Sequence, residues 1–184
     1  MKKILALFLI FVFFAINPAM ARTSKNYLDK LDKYAVWKQE RKISIWVEPS
    51  EYQEKAYEAF REWMVASNNC VRFVHANSEK YADIRVYFVD RLDANTAGIT
   101  HHRSNGKYMT NAVVKVRYTN LKGVKLSKKL VYGVTLHEIG HALGIMGHSD
   151  NHNDIMYPNT NIIGVHTSDR DANTIREFYC SGRY

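Results

Sequence analysis

Two histidines and a glutamate in one short stretch have the types and the spacing of a metal-dependent hydrolytic site. His137 and His141 stand four positions apart, with Glu138 between them. Side chains at i and i+4 of a helix share one face, so both imidazoles can reach a single metal ion. Neutral imidazole binds Zn2+ well, and zinc lowers the pKa of a bound water toward about 7. Glu138 would lie next to that water and could take its proton.

A third ligand is expected from the chain that follows this helix. Gly144 comes three residues after His141, and His148 comes four residues after Gly144. Glycine readily adopts a positive φ, which ends a helix and turns the chain back toward the metal. Three protein ligands leave one coordination position open, as catalytic zinc sites do. We therefore predict His148 as the third ligand, with His152 and His166 as more distant alternatives and histidines without any metal as the remaining possibility.

The stretches around this site predict one α+β domain of about five strands and three helices. Alternating, β-branched runs favour strands, whereas apolar residues at three- and four-residue spacing favour helices. A turn is expected at Asn105-Gly106, Gly144 should end the second helix, and Ser50 and Ser168 can cap the first and the third. The predicted strands span residues 42–47, 71–74, 82–89, 97–100 and 112–118, and the predicted helices span residues 50–66, 130–143 and 168–179.

Residues 1–21 have the organisation of a secretory signal peptide. Lys2 and Lys3 precede an apolar run at residues 4–16, and residues 19–21 match the small-residue pattern of a cleavage site. A membrane anchor is less consistent with this run, because about 20 apolar residues are needed to span a bilayer. We predict cleavage at the end of this segment, export to the periplasm or the cell exterior, and no stable membrane anchor afterwards.

The exported chain is expected to have two parts. Residues 22–41 are polar, with Leu28, Leu31 and Tyr34 at helical spacing, and they predict an extension or one marginal helix. This segment has too little apolar surface to fold alone. Residues 42–184 contain the predicted strands and helices and form the predicted globular domain.

The cysteine content and the net charge indicate a disulfide and limit the classes of binding partner. Cys70 and Cys180 are the two cysteines, and an even count in an exported chain favours a disulfide over two separate buried thiols. The formal charge is +8, and a basic cluster suggests either a solvated loop or attraction to an anionic partner. Nucleic-acid binding is not expected, since no stacking aromatics or metal-finger spacing accompany the basic residues. The cluster comprises Lys115, Arg117, Lys122, Lys125, Lys128 and Lys129.

Two motifs resemble the metzincin clan of zinc peptidases, and within it the matrixin branch in its small bacterial secreted form. Residues 137–150 are HEIGHALGIMGHSD, and Ser149 after the third histidine is the matrixin-type residue. Residues 154–158, DIMYP, resemble the Met-turn, in which a methionine lies beneath the zinc. Weaker similarities occur at Trp37 and at residues 59–63, 82–84, 97–100 and 168–171.

The resemblance implies a fold, a cofactor and a reaction. The metzincin fold is a twisted, mostly parallel five-stranded sheet with three helices and a Met-turn. One antiparallel edge strand binds a substrate peptide in extended form. Residues 42–184 would then be the peptidase domain of a monomeric, secreted endopeptidase. Zinc would be held by His137, His141 and His148, and Glu138 would be the catalytic base for the hydrolysis of peptide bonds in proteins.

The chain departs from the family pattern in several places. One extra residue precedes the third histidine, so Gly147 occupies the position where the family has that ligand. Residues 22–69 contain no cysteine, which excludes a cysteine switch. The acidic calcium-binding segments of the vertebrate enzymes are missing. His101 and His102 lie in that region, and we expect them to line the cleft or its rim rather than bind a second zinc. Thr160 stands where matrixins usually have a tyrosine beside the S1′ pocket, so side-chain preference is not carried over.

A catalytically silent, zinc-stabilised binding protein is the alternative function. The carboxylate of Glu138 argues against it, because a purely structural metal site has no use for that group. A peptidase with a downstream glutamate as third ligand is also disfavoured. Glu177 is the only glutamate after Glu138, and it lies in the last predicted helix.

Overall fold

A computed structural model describes residues 26–31, 33–38, 42–93, 96–158 and 165–181 of the 184-residue chain. The predicted signal peptide at residues 1–21 and Thr160 lie outside the described residues. The described part contains short 3-10 helices at Leu28–Lys30 and Glu79–Tyr81 in addition to its strands and α-helices. In chain order these are β1 (Lys33–Tyr34), β2 (Ile43–Val47), α1 (Gln53–Ala66), β3 (Phe73–His75), β4 (Ile84–Val89), β5 (Gly98–Asn105), β6 (Tyr108–Arg117), α2 (Lys128–Ala142), β7 (Ile145–Met146) and α3 (Asp169–Tyr179).

Five of the strands form one sheet in the order β3-β2-β4-β6-β5. β2 pairs in parallel with β3 and β4, and β4 pairs in parallel with β6, whereas β5 runs antiparallel to β6 along the outer edge. In β4, Ile84, Val86 and Phe88 are buried and alternate with more exposed residues, as expected of a strand with one face on the core. The predicted α+β class and the mostly parallel sheet with one antiparallel edge strand are confirmed.

Helices α1 and α2 pack against each other, and both contact the sheet. Phe60 and Trp63 of α1 and Leu136 and Ile139 of α2 are almost fully buried. Trp63 Nε1 donates a hydrogen bond to Leu136 O at 2.8 Å. Burial of each such side chain contributes about 1.5–3 kcal/mol. This packing holds the C-terminal half of α2, which carries two of the candidate ligands, against the rest of the domain.

Serines begin two of the three described α-helices. Ser127 Oγ accepts a hydrogen bond from a backbone N–H in the first turn of α2, and Ser168 and Asp171 form a reciprocal capping box at the start of α3. The predicted cap by Ser50 is wrong, because the chain makes a further turn before α1 begins and the N-cap residue is Tyr52. Ser50 Oγ accepts from Tyr52 N within that turn.

The edge strand β5 is longer than predicted. The sequence predicted an extended piece at residues 97–100, whereas the strand spans Gly98–Asn105. Its second half is polar and exposed, and therefore lacks the alternation that identifies a strand in a sequence. Backbone pairing with β6 holds this half extended. The predicted turn at Asn105-Gly106 is confirmed, with φ of 57° at Gly106.

Of the two predicted possibilities for the described residues before β2, an extension or one marginal helix, the structure shows no α-helix but an extension that packs onto the domain. Residues 28–30 form a single 3-10 turn, and β1 pairs antiparallel with β7. Tyr27 is completely buried, and Trp37 Nε1 donates to Ala142 O at 2.9 Å. Such long-range contacts override local helix propensity, which is a weak preference. The domain boundary at residue 42 stays a prediction.

Cys70 and Cys180 form a disulfide with Cα atoms 5.5 Å apart, so the predicted pairing is confirmed. The bond joins the segment after α1 to the residue after α3, across a separation of 110 residues. Arg176 of α3 also donates from Nε to Ala66 O, the last residue of α1, at 2.8 Å. The C-terminal helix is therefore tied to α1 by a covalent bond and a hydrogen bond.

Candidate metal centre

The C-terminal half of α2 presents His137 and His141 to an open cleft. Both residues line this cleft, which lies beside β5 and has a volume of about 530 Å³. Gly140 lies next to this face of the helix, where a Cβ would overlap Met156 Sδ. Met156 is itself completely buried, in agreement with the predicted Met-turn. The absence of a side chain at Gly140 thus lets the Met-turn lie directly against the ligand-bearing turn of α2.

His148 joins these two histidines after a sharp end to the helix. Gly144 has φ of 103°, and a Cβ there would overlap Ala35 O, so this position requires glycine. The chain continues through β7 and brings the ring of His148 to 5.2 Å from that of His137 and 5.0 Å from that of His141, measured between centroids. One ring nitrogen from each histidine lies within 4.8 Å of the others. These three side chains could hold a metal ion together.

Backbone carbonyls orient two of the three imidazoles. His137 Nδ1 donates to Ile155 O at 2.7 Å, and His141 Nδ1 donates to Ile145 O at 2.6 Å. Nε2 of each ring is left as an acceptor, and the two Nε2 atoms lie 3.1 Å apart. Two neutral acceptors at this distance repel each other unless a proton or a cation lies between them. Because a tetrahedral zinc ion holds two nitrogens about 3.3 Å apart, this donor set fits Zn2+.

Burial keeps these imidazoles neutral, which is the form that binds a metal. Desolvation, assisted by the nearby His141, lowers the pKa of His137 to about 3. Desolvation also lowers the pKa of His141 to about 4, and partial burial lowers the pKa of His148. In the metal-free site the three rings therefore keep their lone pairs available for a cation at neutral pH.

Glu138 lies next to His137 on α2 but faces β5. Its side chain is 5% exposed, and Thr100 Oγ1 lies 2.7 Å from Glu138 Oε2 and 2.9 Å from Glu138 O. Burial raises the pKa of Glu138 to about 7 in the metal-free site, and the hydrogen bond from Thr100 opposes this shift. A carboxyl group with a pKa near neutrality can both accept and return a proton. The sequence analysis placed Thr100 in a stretch, residues 97–100, that weakly resembles the family, but it assigned this threonine no role in the site, because nothing in the sequence shows that it contacts Glu138.

A buried carboxylate at the start of α3 supports the Met-turn, and the sequence analysis did not assign it to the site. Asp171 accepts hydrogen bonds from Tyr27 Oη at 2.7 Å, Ile155 N at 2.8 Å and Ser168 N at 2.8 Å. Burial raises the pKa of Asp171, and these three donors oppose that effect. Ile155 O accepts a hydrogen bond from His137 Nδ1. Asp171 therefore fixes the position of Ile155, the residue that orients the candidate ligand His137. Two signals in the sequence pointed to Asp171, the capping-box spacing from Ser168 and the weak family resemblance at residues 168–171.

A second buried carboxylate, that of Asp154, lies beside the first. It accepts hydrogen bonds from Ser149 Oγ and from Ser168 Oγ, the latter at 2.6 Å, and it pairs with Arg170 Nη1 at 3.1 Å. Ser149 follows the third candidate ligand, and Ser149 N also donates to Met156 O at 2.9 Å. The loop that carries this ligand is therefore bound to the Met-turn through both side-chain and backbone hydrogen bonds.

The other histidines that the sequence analysis considered lie apart from this group. His102 lines the cleft from β5, as predicted, and its neighbour His101 is exposed. His166 pairs with Glu62, with Nδ1 3.2 Å from Oε2, and His152 is exposed in the loop before the Met-turn. In the part of the chain that the structure describes, one group of three potential metal-binding side chains occurs, and none of these histidines belongs to it.

Comparison with protein families agrees with this geometry. A family model described as Matrixin matches residues 26–180. The match extends from before the first 3-10 turn to the residue that follows α3, and so it includes every strand and helix described above. No curated protein matches the chain. Matrixins are zinc-dependent peptidases, and the three clustered histidines are consistent with that requirement. The chain therefore belongs to the matrixin family of zinc-dependent metallopeptidases.

Proposed function

We propose that this protein is a secreted, zinc-dependent endopeptidase that hydrolyses peptide bonds within protein substrates. Family membership establishes the coarser class of metallopeptidase. The endopeptidase action, the roles of individual residues and the export are the proposal. The observation that carries it is the arrangement of three imidazoles and one buried carboxylate beside the same open cleft.

The edge of the sheet offers a place for an extended peptide. β5 is the outer strand, and its free edge carries backbone N–H and C=O groups directed away from β6. A peptide can add to such an edge as a further strand, with main-chain hydrogen bonds for affinity and side-chain pockets for specificity. The cleft runs beside residues 96–100 of this edge, so the candidate ligands and a bound peptide would be neighbours. All these groups come from one chain, and we propose a monomer.

Three histidines and one glutamate have separate roles in the proposed reaction. His137, His141 and His148 would hold Zn2+ through ring nitrogens that face one another. When bound, zinc supplies a Lewis acid that polarises the scissile carbonyl and acidifies water. Glu138 would take a proton from the attacking water and return it to the leaving amine. Its pKa of about 7 in the metal-free site suits a group that must do both.

The burial of Glu138 argues against a catalytically silent zinc-binding protein. Such a protein would need the three histidines but not the carboxylate. Glu138 is 5% exposed, and a buried carboxyl group costs stability unless hydrogen bonds compensate for its lost hydration. A protein without catalytic use for this group would be more stable with an apolar side chain in its place.

Export is the remaining part of the proposal. The predicted signal peptide at residues 1–21 lies outside the described residues. The Cys70–Cys180 disulfide suits an oxidising compartment such as the periplasm or the cell exterior. Among the described residues, no helix has the length and apolar composition needed to cross a membrane.

The test uses the oxidised chain without residues 1–21, loaded with one equivalent of zinc. We expect cleavage of a denatured protein and of a peptide with blocked termini, loss of this cleavage with a chelator, and recovery with added zinc. Glu138→Ala is the matched control, and it should bind zinc without cutting. A folded, zinc-loaded protein that leaves both substrates intact would contradict the proposal, and cleavage of unblocked peptides alone would contradict the endopeptidase action.

A further inference from the structure

Two residues of β5 hold the carboxylate of Glu138, and neither belongs to the motif that predicted this glutamate. Gly98 and Thr100 stand two positions apart, so they share one face of the strand. Thr100 Oγ1 lies 2.7 Å from Glu138 Oε2. A Cβ at Gly98 would lie 2.6 Å from Glu138 Cγ and 2.8 Å from Val134 Cγ1, so there is no room for a side chain at this position. The glutamate side chain therefore occupies a space that this face of β5 defines.

We propose that Thr100 is a positioning residue for Glu138, and that Gly98 provides the space in which the carboxylate takes its productive orientation. The proposal rests on the proposed function, in which Glu138 transfers the proton. Thr100 holds Oε2. Oε1, which has no hydrogen-bond partner among the described residues, is then the oxygen available to the attacking water.

The hydroxyl of Thr100 is sufficient to orient the carboxylate of Glu138, because its hydrogen bond is to a group that carries charge. A general base must have its oxygen within about 2.6–3.2 Å of the group that loses the proton, and a glutamate has several rotatable bonds that can carry it away. An O–H···O⁻ hydrogen bond is charge-assisted and stronger than a neutral one. The same hydroxyl lies 2.9 Å from Glu138 O, so Thr100 contacts both ends of the glutamate. The rotamer of Glu138 is therefore selected before a substrate binds.

The contact also connects the base to the strand that would bind the substrate. β5 pairs with β6 along one side only, and its other side is the edge beside the cleft. A peptide on that edge and the carboxylate of Glu138 would both take their positions from residues 98–100. A shift of this strand would then move the scissile bond and the base together, which preserves their separation.

Thr100→Val tests the proposal, because it removes the hydroxyl and keeps the shape of the side chain. In the zinc-loaded protein we expect kcat to fall about 10- to 100-fold, the effect of losing one hydrogen bond to a charged group, with little change in KM. Thr100→Ser should recover most of kcat. Gly98→Ala should lower kcat at least as much, since its methyl group would displace the carboxylate. Thr110→Val is the matched control, because Thr110 Oγ1 donates to Arg103 O on the same hairpin.

A second measurement requires neither zinc nor substrate. The ¹³C resonance of the Glu138 carboxyl carbon in the metal-free protein should shift in Thr100→Val, return in Thr100→Ser and stay in place in Thr110→Val. If Glu138→Ala abolishes cleavage but Thr100→Val leaves kcat unchanged, the proposal is overturned. It is also overturned if kcat falls in Thr100→Val only because that variant loses zinc. An inactive wild-type protein would instead overturn the proposed function, and the carboxyl resonance would still decide whether Thr100 contacts Glu138.

Discussion

Two polar clusters of this protein, one beside the cleft and one at the start of α3, differ in how their atoms are used. In the α3 cluster, Asp171 Oδ1 accepts from Tyr27, and Oδ2 accepts from two backbone N–H groups, so both oxygens are hydrogen-bonded. In the cleft cluster, the Nδ1 atom of His137 is bound by a backbone carbonyl while Nε2 faces the other candidate ligands. The cleft cluster consists of His137, Glu138, His141 and His148, and the α3 cluster of Tyr27, Ser149, Asp154, Ser168 and Asp171.

This difference separates polar groups that stabilise the fold from groups that can do chemistry. A buried polar group with all its atoms hydrogen-bonded stabilises the native state and has nothing left for a ligand. A group that is anchored through one atom and exposes another is both oriented and reactive. Substitutions in the cleft cluster should therefore act on catalysis or on zinc binding, and substitutions in the α3 cluster should act on the stability of the fold.

The largest effect is expected for Glu138→Gln. An amide cannot take a proton from water, so kcat should fall about 10³-fold, within the range of general acid–base catalysis. The zinc content and the urea midpoint should stay close to those of the wild-type protein. Fluorogenic peptide cleavage, metal analysis and urea unfolding measure these three quantities. Glu54→Gln, at an exposed position of α1, is the control for loss of one negative charge. A zinc-loaded Glu138→Gln protein with near wild-type kcat would remove this residue from the mechanism.

The next largest effect is expected on zinc binding. His148→Ala removes one of the three clustered ring nitrogens and should weaken zinc affinity by about 100-fold or more. His152→Ala is the control, because His152 lies on the same exposed loop outside the cluster, and it should retain one equivalent of zinc. Competition with a chromophoric chelator measures both affinities. Loss of zinc from the His152 variant, with retention in the His148 variant, would contradict the ligand assignment.

A smaller effect, and one that acts first on stability, is expected for Asp171→Ala. The substitution leaves Tyr27 Oη, Ile155 N and Ser168 N without their acceptor, and the free energy of unfolding should fall by about 3 kcal/mol. Tyr27→Phe removes one of these hydrogen bonds and should cost about 1 kcal/mol. Urea unfolding of the zinc-loaded proteins provides both values. Equal midpoints for wild type and Asp171→Ala would show that the α3 cluster does not stabilise the fold.

An effect smaller than that of Asp171→Ala is expected on the pH dependence of the stability of the metal-free protein. Burial lowers the pKa of His137 to about 3 and that of His141 to about 4, whereas an unfolded histidine titrates near 6.5. Above pH 6.5 both residues are neutral in both states and do not affect stability. Below it the unfolded chain binds protons first, so at pH 5.5 each histidine should cost about 1.4 kcal/mol. The raised pKa of Glu138 and the lowered pKa of His148 also contribute to the pH dependence, and the contribution of Glu138 has the opposite sign. The contribution of His137 is therefore the difference between wild type and His137→Gln. Urea unfolding of both proteins from pH 8 to 5.5 should show that the wild-type protein loses about 1.4 kcal/mol more than the variant.

The parts of the fold that were predicted correctly are those whose residues determine their own conformation. α2 was predicted at residues 130–143 and spans Lys128–Ala142, because its continuous apolar run and Gly144 are local signals. The second half of β5 was not predicted, and neither was the burial of Tyr27 within the segment predicted as an extension or a marginal helix. Their own patterns are polar or weak, and pairing with β6 and contact with α3 determine their conformation.

The sequence by itself determined the local part of the candidate site. Helical periodicity places His137 and His141 side by side on one face with Glu138 beside them, whatever the rest of the chain does. Only the tertiary structure decided which groups orient them. Thr100 is 38 residues from Glu138, and Tyr27 is 144 residues from Asp171. Contacts over such separations depend on the register of the strands and the packing of the helices. These are properties of the whole domain, and the spacing of neighbouring residues does not determine them.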